Sequence, residues 1–168
     1  MREHGFTLVE LSSVVFIIAI LMVMSLTMFR SSKRATQHKT AQAAATTYAE
    51  AIEAYMADNG QQAPTIGSAA WPAGSRDQRI AGPVDAMMLQ NGAPKRYMPR
   101  AAPEAVSDGL VDLVAGSGAP TGSPAAVIRY SSAGGRYTLQ VEMVEAGSTP
   151  PCVVTNNPSP PAGVARCA

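Results

Sequence analysis

Few side chains in this sequence could carry chemistry, and they gather toward its two ends. Glu10 stands at the head of an apolar run, Leu11 to Phe29, that holds no charge, proline or glycine. The polar residues of the run are Ser12, Ser13, Ser25 and Thr27. A carboxylate drawn toward hydrocarbon costs several kcal/mol unless it is protonated or paired with a cation. Glu10 is therefore either a headgroup-level residue at a membrane entry or one half of an ion pair. Near the C-terminus, Cys152 and Cys167 are the only thiols. With one histidine downstream of the run, they fall short of the four ligands of a structural zinc site. In a chain with an export segment the default is one disulfide, which would be worth roughly 3 kcal/mol; two unpaired thiols are the alternative.

Catalysis needs converging groups, and the sequence supplies none. His4 lies before the apolar run and His38 lies in a charged stretch, where it reads as a solvated or inter-subunit residue. No nucleophile elbow, zinc-binding His-Glu-x-x-His or phosphate loop is present. The stretch Gly116 to Gly122 is glycine-rich, but Pro120 and Pro124 spoil the helix a phosphate loop requires, so it reads as a surface loop. Asp108 and Asp112 are too sparse for a calcium site. Asn157-Pro158-Ser159 fails the glycosylation pattern because proline intervenes. No enzyme activity and no cofactor are expected. The formal net charge of +1 and 5% aromatic residues give no surface suited to nucleic acid. Arg76, Arg79, Lys95, Arg96 and Arg100 form a scattered basic set that reads as solvated loop charge.

The elements that hold these groups follow from pattern. About 19 apolar residues at about 1.5 Å each reach across a ~30 Å hydrocarbon core. A cleaved secretory signal has a shorter apolar region and a small-x-small site after it; here the run ends in Met28-Phe29-Arg30. From Ala35 to Asn59 there is again no proline or glycine, and Ala41, Ala44, Ala45, Tyr48, Ala51, Ile52, Tyr55 and Met56 fall at helical spacing. Asn59-Gly60 stops the helix. One helix is expected from about Phe6 to Asp58, apolar nearly all round at first and amphipathic after.

Beyond it the chain is punctuated by glycine and proline. A short helix is expected over Val84–Gln90, stopped by Asn91-Gly92, and Pro94, Pro99 and Pro103 impose an extended path. Leu110 to Val114 alternates as a strand. Ala126–Tyr130 and Arg136–Val144, joined through Ser131–Gly135, read as a β-hairpin whose apolar face covers the helix stripe around Tyr48 to Met56. A further edge strand is expected near Val153-Val154. The fold class is α+β: a long N-terminal helix packed on a small antiparallel sheet, with a loop-rich C-terminus that a Cys152–Cys167 bridge would close.

Gly5-Phe6-Thr7-Leu8-Val9-Glu10 followed by the apolar run resembles the start of type IV pilins and pseudopilins. The helix end, Ala51-Ile52-Glu53-Ala54-Tyr55-Met56-Ala57-Asp58-Asn59-Gly60 with Pro64 beyond, is similar to the helix end of pseudopilin-type subunits. The resemblance implies cleavage between Gly5 and Phe6 by a prepilin peptidase and N-methylation of Phe6. It also implies that Glu10 pairs with the amine of a neighbouring Phe6 to set the register between subunits. Departures are His4, where a basic residue is usual, and Ala19 and Thr27, where many pilins carry glycine and proline. The implied divisions are a leader over 1–5, a membrane or filament-core helix over 6–29, an amphipathic half over 30–59 and a head over 60–168.

The implied role is a structural subunit of a type IV pilus or related filament. The alternatives are a pseudopilin of a type II secretion system, or a minor pilin acting as a tip adhesin or DNA-binding module. The implied partners are further copies or sibling subunits, the peptidase, an assembly ATPase and its platform protein; nucleic acid is an unsupported partner. The implied location is the inner membrane, single-pass, before assembly, and the periplasm or cell surface after. Arg30, Lys33, Arg34 and Lys39 follow the run while only Arg2, offset by Glu3, precedes it. Taken alone that bias would leave the C-terminal side in the cytoplasm, whereas the resemblance places it outside.

Overall fold

The computed structural model describes residues 8–65, 87–88, 94–95, 97, 106, 108–120, 122–145 and 150–167, with side chains at all of these except 26, 27, 87, 88, 94 and 95. Helix α1 spans Leu8–Asp58. The chain divides into two compact units, Met1–Thr36 and Gln37–Ala168. In the first, every side chain described is exposed. The second holds the core.

In the second unit, Ala41, Ala44, Ala45, Tyr48, Ala51, Ile52, Tyr55 and Met56 are all buried, joined by Ala49. These are the positions that helical spacing places on one stripe. Thr46, Glu50, Glu53 and Asp58 are exposed on the other faces. The helix stops as its sequence directs. The buried Asn59 turns its side-chain amide back onto the Tyr55 carbonyl at 2.9 Å, and the Gln61 amide donates to the Met56 carbonyl at 2.8 Å. Gly60 and Gln61 both take positive φ, 64° and 63°, a conformation that costs a non-glycine residue energy.

Among the described residues seven strands follow: β1 Met87–Met88, β2 Pro94–Lys95, β3 Val111–Ala115, β4 Ala126–Ala133, β5 Arg136–Met143, β6 Cys152–Thr155 and β7 Ala165–Arg166. The last five form one sheet in sequence order, antiparallel through β4–β5–β6 and parallel at each edge, β3 on β4 and β7 on β6. In the central hairpin Ile128 pairs with Val141, Tyr130 with Leu139 and Ser132 with Tyr137. Alternation places Ile128, Tyr130, Tyr137, Leu139 and Val141 on one face, and all are buried in a cluster with the α1 stripe. Tyr137 ties the layers together, its hydroxyl donating to Glu53 Oε1 at 2.8 Å. The Tyr130 hydroxyl donates to the Pro64 carbonyl.

Three expectations change. Met87–Met88 is not helical but pairs antiparallel with Pro94–Lys95; Asn91-Gly92, read as a helix stop, is equally hairpin chemistry. The hairpin strands run further than Tyr130, because Ser131, Ser132 and Ala133 keep their ladder partners and the turn shrinks to Gly134-Gly135. Both glycines have positive φ. A Cβ on Gly135 would stand 2.8 Å from the Gln61 carbonyl oxygen, so the hairpin tip can approach the helix end only without a side chain there. Finally, β6 is interior, since β7 covers its outer side.

Candidate functional site

The first unit presents a single surface. Leu8, Val9, Leu11, Phe16, Ile17, Met22, Val23, Met28 and Phe29 are among its large apolar side chains, each more than half exposed. An 18-residue window of this helix has mean hydropathy 2.5, and none of it is buried within the chain. Water would be a poor solvent for such a surface: each fully exposed Leu, Ile or Phe forgoes roughly 1.5–3 kcal/mol of burial. The three serines of the run are already satisfied. Ser12 donates to the Val9 carbonyl at 2.9 Å, Ser13 to Glu10 at 2.9 Å and Ser25 to Leu21 at 2.8 Å. A hydroxyl bonded to its own helix can enter hydrocarbon without the penalty of an unmet donor.

Glu10 lies in the first turn of α1, on its exposed surface. A carboxylate there is favoured by the positive end of the helix dipole. Its distance from the other end of the run matters. At about 1.5 Å per residue, Glu10 and Arg30 stand ~30 Å apart, which is the thickness of a bilayer core. Charge therefore brackets the apolar segment, negative at its start and positive at its end, where Arg30, Lys33 and Arg34 are all exposed. Gly5, Phe6 and His4 lie outside the described residues.

At the opposite end of the chain the two cysteines are joined. The S–S distance is 2.07 Å and the Cα atoms are 5.0 Å apart. The bridge fastens the last short strand to β6, assisted by the Cys167 amide on the Val153 carbonyl at 2.9 Å. Between the cysteines, Asn156 and Asn157 organise an exposed proline-rich loop. Asn156 Oδ1 accepts from the Tyr137 amide at 2.9 Å, Asn157 Oδ1 from the Ser159 amide at 3.2 Å, and the Asn157 carbonyl from Arg166 Nη2 at 3.0 Å. Neither asparagine stands out in the sequence except by preceding Pro158. Gln42 Nε2 reaches Cys152 Sγ at 3.3 Å, a link across the fold that no local pattern marks.

The remaining candidates do not converge. Asp108 is exposed in a turn and Asp112 is buried in β3. Among the described residues no group of three potential metal ligands exists. The glycine-rich loop after β3 is occupied from within: Arg129 Nη1 donates to the Gly118 carbonyl at 2.8 Å while its Nε pairs with Glu142 at 2.8 Å. Arg76, Arg79, Arg96 and Arg100 lie outside the described residues, and Lys95 is described only as part of β2. His38 is half-buried. Burial pushes the Tyr48 hydroxyl well above its usual range. It does the same to Tyr137, aided by the hydrogen bond and charge of Glu53. Tyr130 is raised to about 12, chiefly by burial. These groups are neutral packing elements at physiological pH.

The arrangement that does stand out is an exposed apolar helix headed by an acidic residue. A family model described as "Prokaryotic N-terminal methylation motif" matches residues 1–26. The match covers the N-terminal segment alone. The motif is a class III signal, typical of type IV pilins and pseudopilins, and it spans the stretch from Met1 to within the apolar run. Together with the exposed apolar helix it is consistent with a membrane-anchored prepilin. No curated protein and no solved structure matches the chain.

Proposed function

We propose that this protein is a pilin-like structural subunit of a type IV pilus or a related filament, stored in the inner membrane and drawn from it on assembly. In this reading a prepilin peptidase cuts between Gly5 and Phe6 and the new Phe6 amine is methylated. The mature helix is then embedded with Glu10 one turn from its start. The observation that carries the reading is the exposed apolar surface of α1 between Leu8 and Phe29, which none of the described residues covers. Such a surface needs lipid before assembly and neighbouring helices afterwards. In a filament interior Glu10 requires a cation, and the Phe6 amine of an adjacent subunit supplies one at a single axial register. Assembly calls on an ATPase, a platform protein and sibling subunits.

A secretion pseudopilin or a minor subunit is the second reading. What favours it is that α1 runs unbroken through Ala19 and Thr27, the positions where many pilins carry helix-loosening glycine and proline. Intact mass of the mature protein tests the first step: an N-methylated Phe6 is expected, and retention of Met1 or cleavage beyond the apolar run would sink the proposal. Glu10→Ala tests the second. The variant should accumulate in the membrane with loss of filaments, and a normal filament yield would remove the register role from Glu10.

A further inference from the structure

The disulfide joins two cysteines in unequal settings. Cys152 opens β6, is 6% exposed and belongs to the hydrophobic core with the α1 stripe. Cys167 follows β7 and is only half-buried. None of residues 158–167 is buried, and among them Cys167 alone is packed against the core. What otherwise holds this segment is polar. β7 pairs with β6 through Ala165 and Arg166, and the Cys167 amide donates to the Val153 carbonyl at 2.9 Å. Arg166 Nη2 and the Ser159 amide donate to Asn157. Hydrogen bonds so few, each a small net gain against water, do not offset the conformational entropy of ordering so long a segment. The bridge is therefore what keeps β7 on the outer edge of β6. Its two sulfurs also differ in chemistry. A thiolate that attacks a disulfide takes the sulfur it can reach and expels the other. Solvent reaches Cys167 more readily than Cys152, so the expelled sulfur is Cys152 Sγ. Gln42 Nε2, on α1, stands 3.3 Å from that atom. Its N–H makes a weak contact with a disulfide sulfur and a strong one with a departing thiolate.

We propose that the Cys152–Cys167 bridge is a redox clasp: a dithiol attacks it at Cys167, Gln42 stabilises the departing Cys152 thiolate, and residues 158–167 leave β6. In the first step a thiolate of the reductant bonds to Cys167 Sγ, and the Cys152–Cys167 bond breaks with its electron pair on Cys152. In the second, the reductant's other thiolate displaces Cys167 and closes the reductant's own disulfide. The two protons given up by the dithiol end on Cys152 and Cys167. Opening bares the outer edge of β6, a row of backbone groups to which an added strand can pair. The core between α1, β4 and β5 stays in place, because residues 158–166 contribute nothing to it. The clasp lies wholly in the second unit and is independent of the filament reading.

The test uses the full chain in detergent, with dithiothreitol as the dithiol and glutathione as a monothiol that stops at the first step. Glutathione should be found on Cys167, with Cys152 free in the same molecule; fragmentation of the intact chain reads both. Dithiothreitol should reduce the bond while the head stays folded. The amides of Arg166 and Cys167 should then exchange hydrogen at the rate of an unstructured chain, and those of β4 and β5 should remain protected. Gln42→Leu keeps the bulk of the side chain and removes the donor. It should slow the first step about three-fold or more and leave the rate in denaturant unchanged. A substitution that merely loosened the packing would speed reduction instead. Glutathione on Cys152 of the wild-type chain, or reduction no faster than global unfolding, would overturn the clasp. So would continued protection of Arg166 and Cys167 after reduction, or a folded Gln42→Leu chain reduced at or above the wild-type rate. If Gln42→Leu does not fold, adduct position and exchange in the wild-type chain still decide.

Discussion

Helix α1 is one element with two kinds of residue surface, and the contrast between them explains the protein. Its N-terminal part, through Thr36, keeps Ile17, Ile18, Leu21 and Val23 each more than half exposed. Its C-terminal part holds Ala41, Ala45 and Ile52 at full burial. Backbone and hydrogen bonding are the same in both. What differs is how the apolar residues are spread. From Leu11 to Phe29 they occupy every face, which no single layer of a small domain can cover. From Ala41 to Met56 they keep to one stripe, which a sheet can cover. The first pattern is left uncovered by the described residues; the second is completed within the chain. Stability of the head and anchorage of the helix should therefore be separable properties.

The largest effect expected from that separation uses one residue type in both settings. Ile52→Ala removes a fully buried side chain between α1 and the sheet and should cost the head about 2–5 kcal/mol. Ile18→Ala, 54% exposed in its wild-type form, should move the head's unfolding midpoint by less than about 0.5 kcal/mol. Denaturant unfolding of the full chain in detergent, followed by tyrosine fluorescence, reads both. The five tyrosines all lie at or beyond residue 48, so the signal belongs to the head. Equal losses would mean that the two surfaces are not independent.

Removing the Cys152–Cys167 bridge sharpens the same division at its far end. The bridge spans a sequence separation of 15, and its loss in a paired Cys152→Ser, Cys167→Ser variant should cost roughly 3 kcal/mol. The loss should appear in the head's unfolding curve while carbonate-resistant retention in membranes stays at the wild-type level. A fall in retention would show that anchorage depends on the folded head after all.

How far these features can be read without coordinates depends on the range of the interaction. The α1 stripe was legible because its period is local: eight alanine, tyrosine, isoleucine and methionine positions named from spacing are all buried. The helix stop was legible too, because Asn59 and Gly60 act on the preceding turn. The central hairpin was legible in its alternation, though its turn is tighter than the serine-rich connection suggested, since Ser131 and Ser132 accept strand geometry when a partner strand is present. The parallel edges were not legible. Pairing of β3 with β4, or of β7 with β6, depends on contacts across loops and leaves no periodic mark. The same holds for Met87–Met88, whose flanking Asn91-Gly92 serves helix ends and hairpins alike. At the candidate site Glu10 was conspicuous because its charge contradicts its surroundings.

The smallest of the expected effects comes from alkaline pH, and it separates the regions without any mutation. The buried Tyr130 hydroxyl donates to the Pro64 carbonyl, and its pKa is raised from 10.0 to about 12, first by loss of hydration and to a lesser degree by the nearby Tyr55. Between these values the folded head holds a proton that the unfolded chain has released. The stability this group contributes is complete below pH 10 and declines as pH rises toward 12. At pH 11, one unit above the unfolded value, the decline from Tyr130 alone is about 1 kcal/mol. Tyr48 and Tyr137, pushed higher still, add to it in the same direction. Denaturant midpoints should thus be level from pH 8 to 10 and fall between 10 and 12, and Tyr130→Phe should flatten part of that fall. No tyrosine precedes Tyr48, and the apolar surface of Leu11 to Phe29 has nothing to ionise. Over the same interval the helix should therefore remain in the bilayer. A head that held its midpoint to pH 12 would mean that Tyr130 ionises without cost, and so that water reaches its hydroxyl.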